Sequence, residues 1–189
     1  MTRVTPLPPE AQSVEQRALY DVIVGGPRAS QTTVIPLVDG DGRLLGPFEA
    51  MLLSPRIGHA AQALGAALRY GSGLTPRVRE LAVLAVARRW DSEYERYAHE
   101  AIGLVSGLTP EEIAALRDGR ALDLADPLER AATDVVRALL ERGDLDDAAY
   151  EAARGVLGEA GLFELSTLVG YYGTLALQLR LFRVRPPDA

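Results

Sequence analysis

Four times between residues 54 and 127 a side chain able to cap a helix is followed at once by proline: Ser54-Pro55, Thr75-Pro76, Thr109-Pro110 and Asp126-Pro127. The first residue of each pair can accept a hydrogen bond from the free backbone N–H groups that begin a helix. The proline needs no amide partner at the first helical position, and its fixed φ suits it. These pairs predict helices from Pro55 to about Tyr70, from Pro76 to about Trp90, from Pro110 to Asp118-Gly119 and from Pro127 to about Arg142. Ser92 and Glu95 have the S-x-x-E spacing of a capping box, which predicts a further helix reaching about Ser106. Leu145 to Leu157 and Leu162 to Phe182 complete the set. Apolar residues recur at helical spacing through most of these segments, and period-two alternation is almost absent after residue 46. The expected fold class is all-α.

The first 46 residues read differently. They are rich in proline, glycine and threonine, with one short helical pattern from Ser13 to Val24. Val34 to Val38, the turn Asp39-Gly40-Asp41-Gly42, and Arg43 to Leu45 suggest a small β-hairpin, because Asp-Gly pairs suit tight turns. The expected organisation is an extended amino-terminal arm over residues 1–46 and a helical domain over 47–185.

Composition narrows the chemistry. A chain of 189 residues with 48% hydrophobic residues can bury a substantial core. A net charge of −6 argues against nucleic acid or an anionic membrane surface as the main partner. Every basic side chain apart from the histidines is arginine, since the chain has no lysine. Schiff-base chemistry and a lysine-anchored pyridoxal cofactor are therefore excluded. The absence of cysteine removes thiol peroxidase chemistry, disulfide exchange and cysteine–zinc sites as well. Leu162 to Phe182 is apolar enough to suggest a membrane span. It carries Glu164, Gln178 and Arg180 together with Gly170 and Gly173, so a buried helix is expected instead. The opening MTRVTPLPPEAQ has no apolar core and no small-residue cleavage site, and is not expected to be a signal peptide. A soluble, cytoplasmic protein with no membrane partner is the expectation.

The residues that carry chemistry cluster between 80 and 99. Glu80 sits in a strongly apolar helix, and Ser92, Glu95 and His99 follow a sharp break. Glu95 and His99 are four apart, so on a helix they share a face and can hydrogen-bond. A carboxylate that fixes the orientation and tautomer of an imidazole suits general acid–base work. Glu80, if buried, either holds a proton it can donate or pairs with an arginine, Arg88 or Arg56, and stays ionised. Tyr94, Tyr97, Tyr171 and Tyr172 supply phenols able to donate to a developing oxyanion, with Tyr94 and Tyr172 favoured. The plainer readings stand beside these: Ser92 and Glu95 as a cap, His99 and Glu80 as satisfied interior groups, the tyrosines as core. His59 and His99 lie far apart, and Glu80, Glu95 and His99 lack a ligand spacing, so no metal is expected. Gly71-Ser72-Gly73 is too short for a phosphate loop.

The spacing Glu80, eleven residues, Ser92, two residues, Glu95, three residues, His99 resembles the active-site pattern of the alkylhydroperoxidase D-like proteins of the carboxymuconolactone decarboxylase superfamily. The peroxidases of that group carry E-x11-C-x2-C-x3-H. Glu80 and His99 match, and Ser92 and Glu95 stand where the two cysteines would be. The flanking text RELAVLAVAR, YAHEAIGLVSGLTPEEIAAL and GPFEAMLLSP is similar to the family too. The resemblance covers residues 47–120 closely and 126–184 loosely. It implies an alkylhydroperoxidase D-like helical bundle, in a branch without the catalytic cysteines, and assembly as a homo-oligomer, a trimer or hexamer. Leu162 to Phe182, apolar on nearly every face, is expected near an interface between copies.

Two functions follow as expectations. One is a cofactor-independent acid–base enzyme acting on a small organic acid, lactone or enolisable carbonyl compound. Its catalytic residues would be Glu80, Glu95 and His99, with Ser92, Tyr94 and Tyr172 binding substrate. Decarboxylation is the reaction the resemblance suggests first, with isomerisation or lactone hydrolysis open to the same groups. The other is a non-catalytic binding or assembly protein that kept the fold and lost the thiols, with polar groups that pair only with one another.

Overall fold

A helix begins at each of the four prolines. The computed structural model describes residues 2–31 and 34–187 and gives α1 Val14–Val24, α2 Pro47–Met51, α3 Pro55–Tyr70, α4 Pro76–Arg89, α5 Glu93–Val105, α6 Pro110–Asp118, α7 Pro127–Arg142 and α8 Asp147–Phe182. Thr75, Thr109 and Asp126 cap their helices through the side chain, on the N–H groups of Val78, Glu112 and Leu128. Ser54 makes no such bond. Gly158, with non-helical φ 69° and ψ 168°, divides α8 into two helical runs, as expected there. The fold is all-α.

The expected hairpin shrinks to one antiparallel bridge between Val38 and Leu44, and no strand forms among the described residues. The turn itself is present. Asp39 Oδ1 accepts from the N–H groups of Asp41 and Arg43, both at 2.9 Å. Pro36 has no N–H to extend a ladder on one side, and α2 begins at Pro47 on the other, so no length remains for a second pair.

Packing divides the chain into two compact units, Met1–Gly71 with Leu177–Ala189, and Ser72–Ala176. In the first, α1 and α2 both pack on α3. Leu19, Ile23, Met51 and Leu52 are buried there. Gly58 lets the helices close up, because a Cβ on it would stand 2.6 Å from Leu19 Cδ2 and 2.5 Å from the Met51 carbonyl oxygen. Tyr20 Oη donates to the Gly42 carbonyl at 2.9 Å, and Arg28 Nη1 donates to Gln62 Oε1 at 2.7 Å.

In the second unit α4 is the central helix, packed by α5, α6 and α7. Its side chains from Val78 to Ala87 are almost all buried, including Glu80. Leu81 and Leu84 join Leu108, Ile113, Leu116 and Leu124 in one apolar cluster. Arg77, at the start of α4, ties three elements together. Its guanidinium reaches Glu129 Oε1 at 2.7 Å and Glu112 Oε1 at 2.8 Å, and also donates to the Gly107 carbonyl. These bonds raise the proton affinity of Arg77, and its guanidinium holds the Glu112 carboxyl below the usual range.

Candidate functional site

The geometry of the site is set by the turn between α4 and α5. Trp90 ends α4 and Asp91 follows with φ 49°, the left-handed conformation that a helix end commonly places on glycine. The Asp91 N–H bonds to the Arg88 carbonyl at 3.1 Å and the Ser92 N–H to the Ala87 carbonyl at 2.9 Å. That pair of bonds is a Schellman motif, with Asp tolerated because its short polar side chain makes the left-handed region less costly. Arg96 Nη1 holds the Asp91 carboxylate at 2.8 Å. Ser92 thus closes one helix and opens the next, and α5 folds back on α4.

The reversal brings two residues 19 positions apart into contact. His99 Nδ1 lies 2.6 Å from Glu80 Oε2 in a buried hydrogen bond. Only 2% of Glu80 and 8% of His99 remain exposed, so bulk water does not compete for the bond. With Glu80 ionised and the imidazole neutral, Nδ1 carries the proton and donates it, which leaves the Nε2 lone pair as the base. Tyr172 from α8 stands edge-on to the imidazole, ring centroids 5.0 Å apart, and Tyr171 stands edge-on to Tyr172. Tyr172 is half-buried.

Ser92 and Glu95 share the buried face of α5 with His99, at spacings of three and four residues. The expected capping box does not form. Ser92 is the N-cap by position, yet its side chain bonds no N–H of α5. Ser92 Oγ and both carboxyl oxygens of Glu95 are buried without a hydrogen-bond partner. The expected bond between Glu95 and His99 is absent as well, since the imidazole turns to α4 rather than along its own helix. Burial pushes the Glu95 carboxyl up to about 8, so it is a neutral acid with an O–H to donate at pH 7. Tyr94 is buried, with its ring edge-on to Tyr97 at 6.0 Å.

The structure therefore sets Glu80 and Tyr172 each against His99 and places Ser92 and Glu95 on the same helix face. Which carboxylate holds His99 was the part sequence spacing misassigned, because the i to i+4 rule sees only one helix. A separate open groove of about 680 Å³ runs between α7 and the first turns of α8. Its charged pair Asp134 and Arg137 is joined at 2.7 Å and exposed, which gives that groove no comparable chemistry. Among the described residues no group of three or more potential ligands could hold a metal ion. No helix among the described residues is long and apolar enough to cross a membrane.

An all-helical protein with a carboxylate–imidazole pair sealed between two helices is the class that these observations define. The sequence match points the same way: residues 55–138 are similar to the model of the carboxymuconolactone decarboxylase family. The match runs from the first turn of α3 into α7 and includes Glu80, Ser92, Glu95 and His99. A search among curated proteins gives no match to the chain. A match to this family is compatible with a decarboxylase-like or alkylhydroperoxidase-like role.

Proposed function

We propose that this protein is a cofactor-independent acid–base enzyme that moves a proton on a small organic acid, lactone or enolisable carbonyl compound. The observation that carries this reading is the buried 2.6 Å bond between His99 and Glu80. It orients the imidazole and leaves Nε2 to take a proton from carbon or return one. Decarboxylation is the matched family's named reaction and suits these parts: loss of carbon dioxide leaves an enolate, which His99 protonates once Nε2 has taken up a proton from solvent. The dithiol peroxidase route is closed to a chain with no cysteine.

The competing reading, a passive binding or assembly protein, fits a site whose polar groups satisfy one another. Glu95 and Ser92 favour the enzyme, since three of their buried oxygens have no protein partner. The test is deuterium exchange followed by proton NMR in D2O, across a panel of ketones, keto acids and lactones. Wild-type protein should catalyse exchange or turnover of one class. His99→Ala and Glu80→Leu should lower the rate by roughly 10²–10⁴-fold. Turnover of an identified substrate that is unchanged in His99→Ala ends the proposal.

A further inference from the structure

Three buried oxygens remain unused by the protein, and all lie on the α5 face that carries His99: Ser92 Oγ and Glu95 Oε1 and Oε2. Only 1% of Ser92 and 3% of Glu95 are exposed, so bulk water does not reach them as it would a surface group. Burying a polar group without a partner costs about 1–3 kcal/mol, and a native chain rarely tolerates three such atoms within one helical turn. A ligand that brings the missing partner removes that cost. The unused groups are the hydroxyl of Ser92 and a carboxyl that burial holds in its acid form near neutral pH. Both can donate, and neither carries a charge that would hold a carboxylate as an ion pair.

We infer that Ser92 and Glu95 form a neutral donor pair that binds the carbonyl oxygen of an uncharged enolisable substrate, a ketone or a lactone, and stabilises the enolate oxygen that His99 generates. This rests on the acid–base reading above and narrows its substrate class. In the helix register Glu95 precedes His99 by one turn, about 6 Å along the axis. A carbonyl oxygen bonded at Glu95 and Ser92 thus leaves the carbon next to the carbonyl near the imidazole. His99 Nε2 takes the proton from that carbon. The C–H electron pair becomes the C=C bond of the enolate, and the carbonyl π pair moves onto the oxygen held by the two O–H donors. Return of the proton to the same carbon gives exchange, and return to the γ-carbon of an unsaturated substrate gives isomerisation. No atom is lost and no oxidant or reductant is required. A developing oxyanion is stabilised most by donors already fixed in a site that excludes water. Approach is from the side of Tyr172, which is half-buried where it meets His99.

Ligand binding tests this without a known substrate. 4-Nitrophenol, as its phenolate, presents a single enolate-like oxygen, and benzoate presents a carboxylate of similar size. Wild-type protein should bind 4-nitrophenol more tightly than benzoate in calorimetry. Ser92→Ala and Glu95→Ala should each weaken 4-nitrophenol about tenfold or more. Glu95→Gln, which keeps an N–H donor, should stay within a few-fold of wild type and also controls for folding. His99→Ala should still bind 4-nitrophenol, because it removes the base and not the donors. The inference is overturned if benzoate binds at least as tightly, if 4-nitrophenol does not bind, or if both alanine variants bind it like wild type. The two readings fail separately. Exchange that depends on His99 with unchanged binding in the alanine variants removes only the donor pair. The expected binding pattern with no exchange of any carbonyl compound removes only the enzyme.

Discussion

Glu95 and His99 occupy successive turns on one face of α5, yet His99 bonds to Glu80 on the neighbouring helix, 2.6 Å away, and Glu95 bonds to neither. The site therefore holds two acids in unlike surroundings. Glu80 receives a hydrogen bond from an imidazole, and Glu95 is left in an environment that favours its neutral form. Environments that separate two carboxyl groups in this way are how one site supplies both a base and an acid.

With Glu80 as acceptor, the bond at His99 Nδ1 favours the neutral tautomer that leaves Nε2 bare. Nitrogen-15 spectra of wild-type protein should show that single tautomer. Glu80→Leu, which removes the acceptor, should give a mixture of the two. A mixture already present in wild type contradicts the arrangement.

Glu95 links stability to pH. Its folded value, about 8, lies above that of the unfolded chain, in the ordinary glutamate range. Between the two, the folded state keeps a proton that the unfolded state has lost. Stability from this group is therefore highest below the ordinary range and falls as pH rises towards 8, by roughly 1.4 kcal/mol per pH unit. Urea unfolding at pH 5.5 and pH 8 should show this loss in wild type and a flatter dependence in Glu95→Gln. Equal slopes refute it.

Arg77 joins α4 to Glu112 and Glu129, and Glu129 is 8% exposed. Arg77→Ala leaves that carboxylate buried without its guanidinium and should cost roughly 2–4 kcal/mol in chemical denaturation. Arg77→Lys should recover only part, because one ammonium cannot fork between two carboxylates. A loss under about 0.5 kcal/mol in Arg77→Ala contradicts the clamp.

Alanine is the better helix former by about 1 kcal/mol, so an exposed glycine in α3 would gain from replacement. Gly58 should not. Its missing Cβ leaves room for Leu19 and the Met51 carbonyl, and Gly58→Ala should destabilise by roughly 1–3 kcal/mol through displaced packing. A rise in Tm reverses this.

Self-association is a further expectation. Leu177 and Leu181 on α8 are 50% and 59% exposed, and Phe163 is 71% exposed. Apolar side chains along one helix commonly mark a contact surface. Sedimentation equilibrium should give a mass above the 20.3 kDa of one chain, and a monomer at micromolar concentration counts against it.

Much of the fold was legible because its signals are local. A cap followed by proline states where a helix starts, and Pro55, Pro76, Pro110 and Pro127 each begin one. The members of the site were legible from spacing for the same reason, but their pairing was not. Ser92 and Glu95 satisfy the sequence pattern of a capping box and do not form one, since both side chains are buried on the face of α5 that carries His99. The break before Ser92 was legible, but not the residue that makes it, Asp91. The break needs a left-handed residue, and neither glycine nor asparagine announces it.

The unspent oxygens of Ser92 and Glu95 have a practical consequence for the molecule without ligand. No protein group meets these three buried atoms, and each costs stability until a partner reaches it. A compound that answers them shifts folding towards the native state by its own affinity. Thermal shift then ranks candidate ligands by how well they complete α5, before any reaction has been observed.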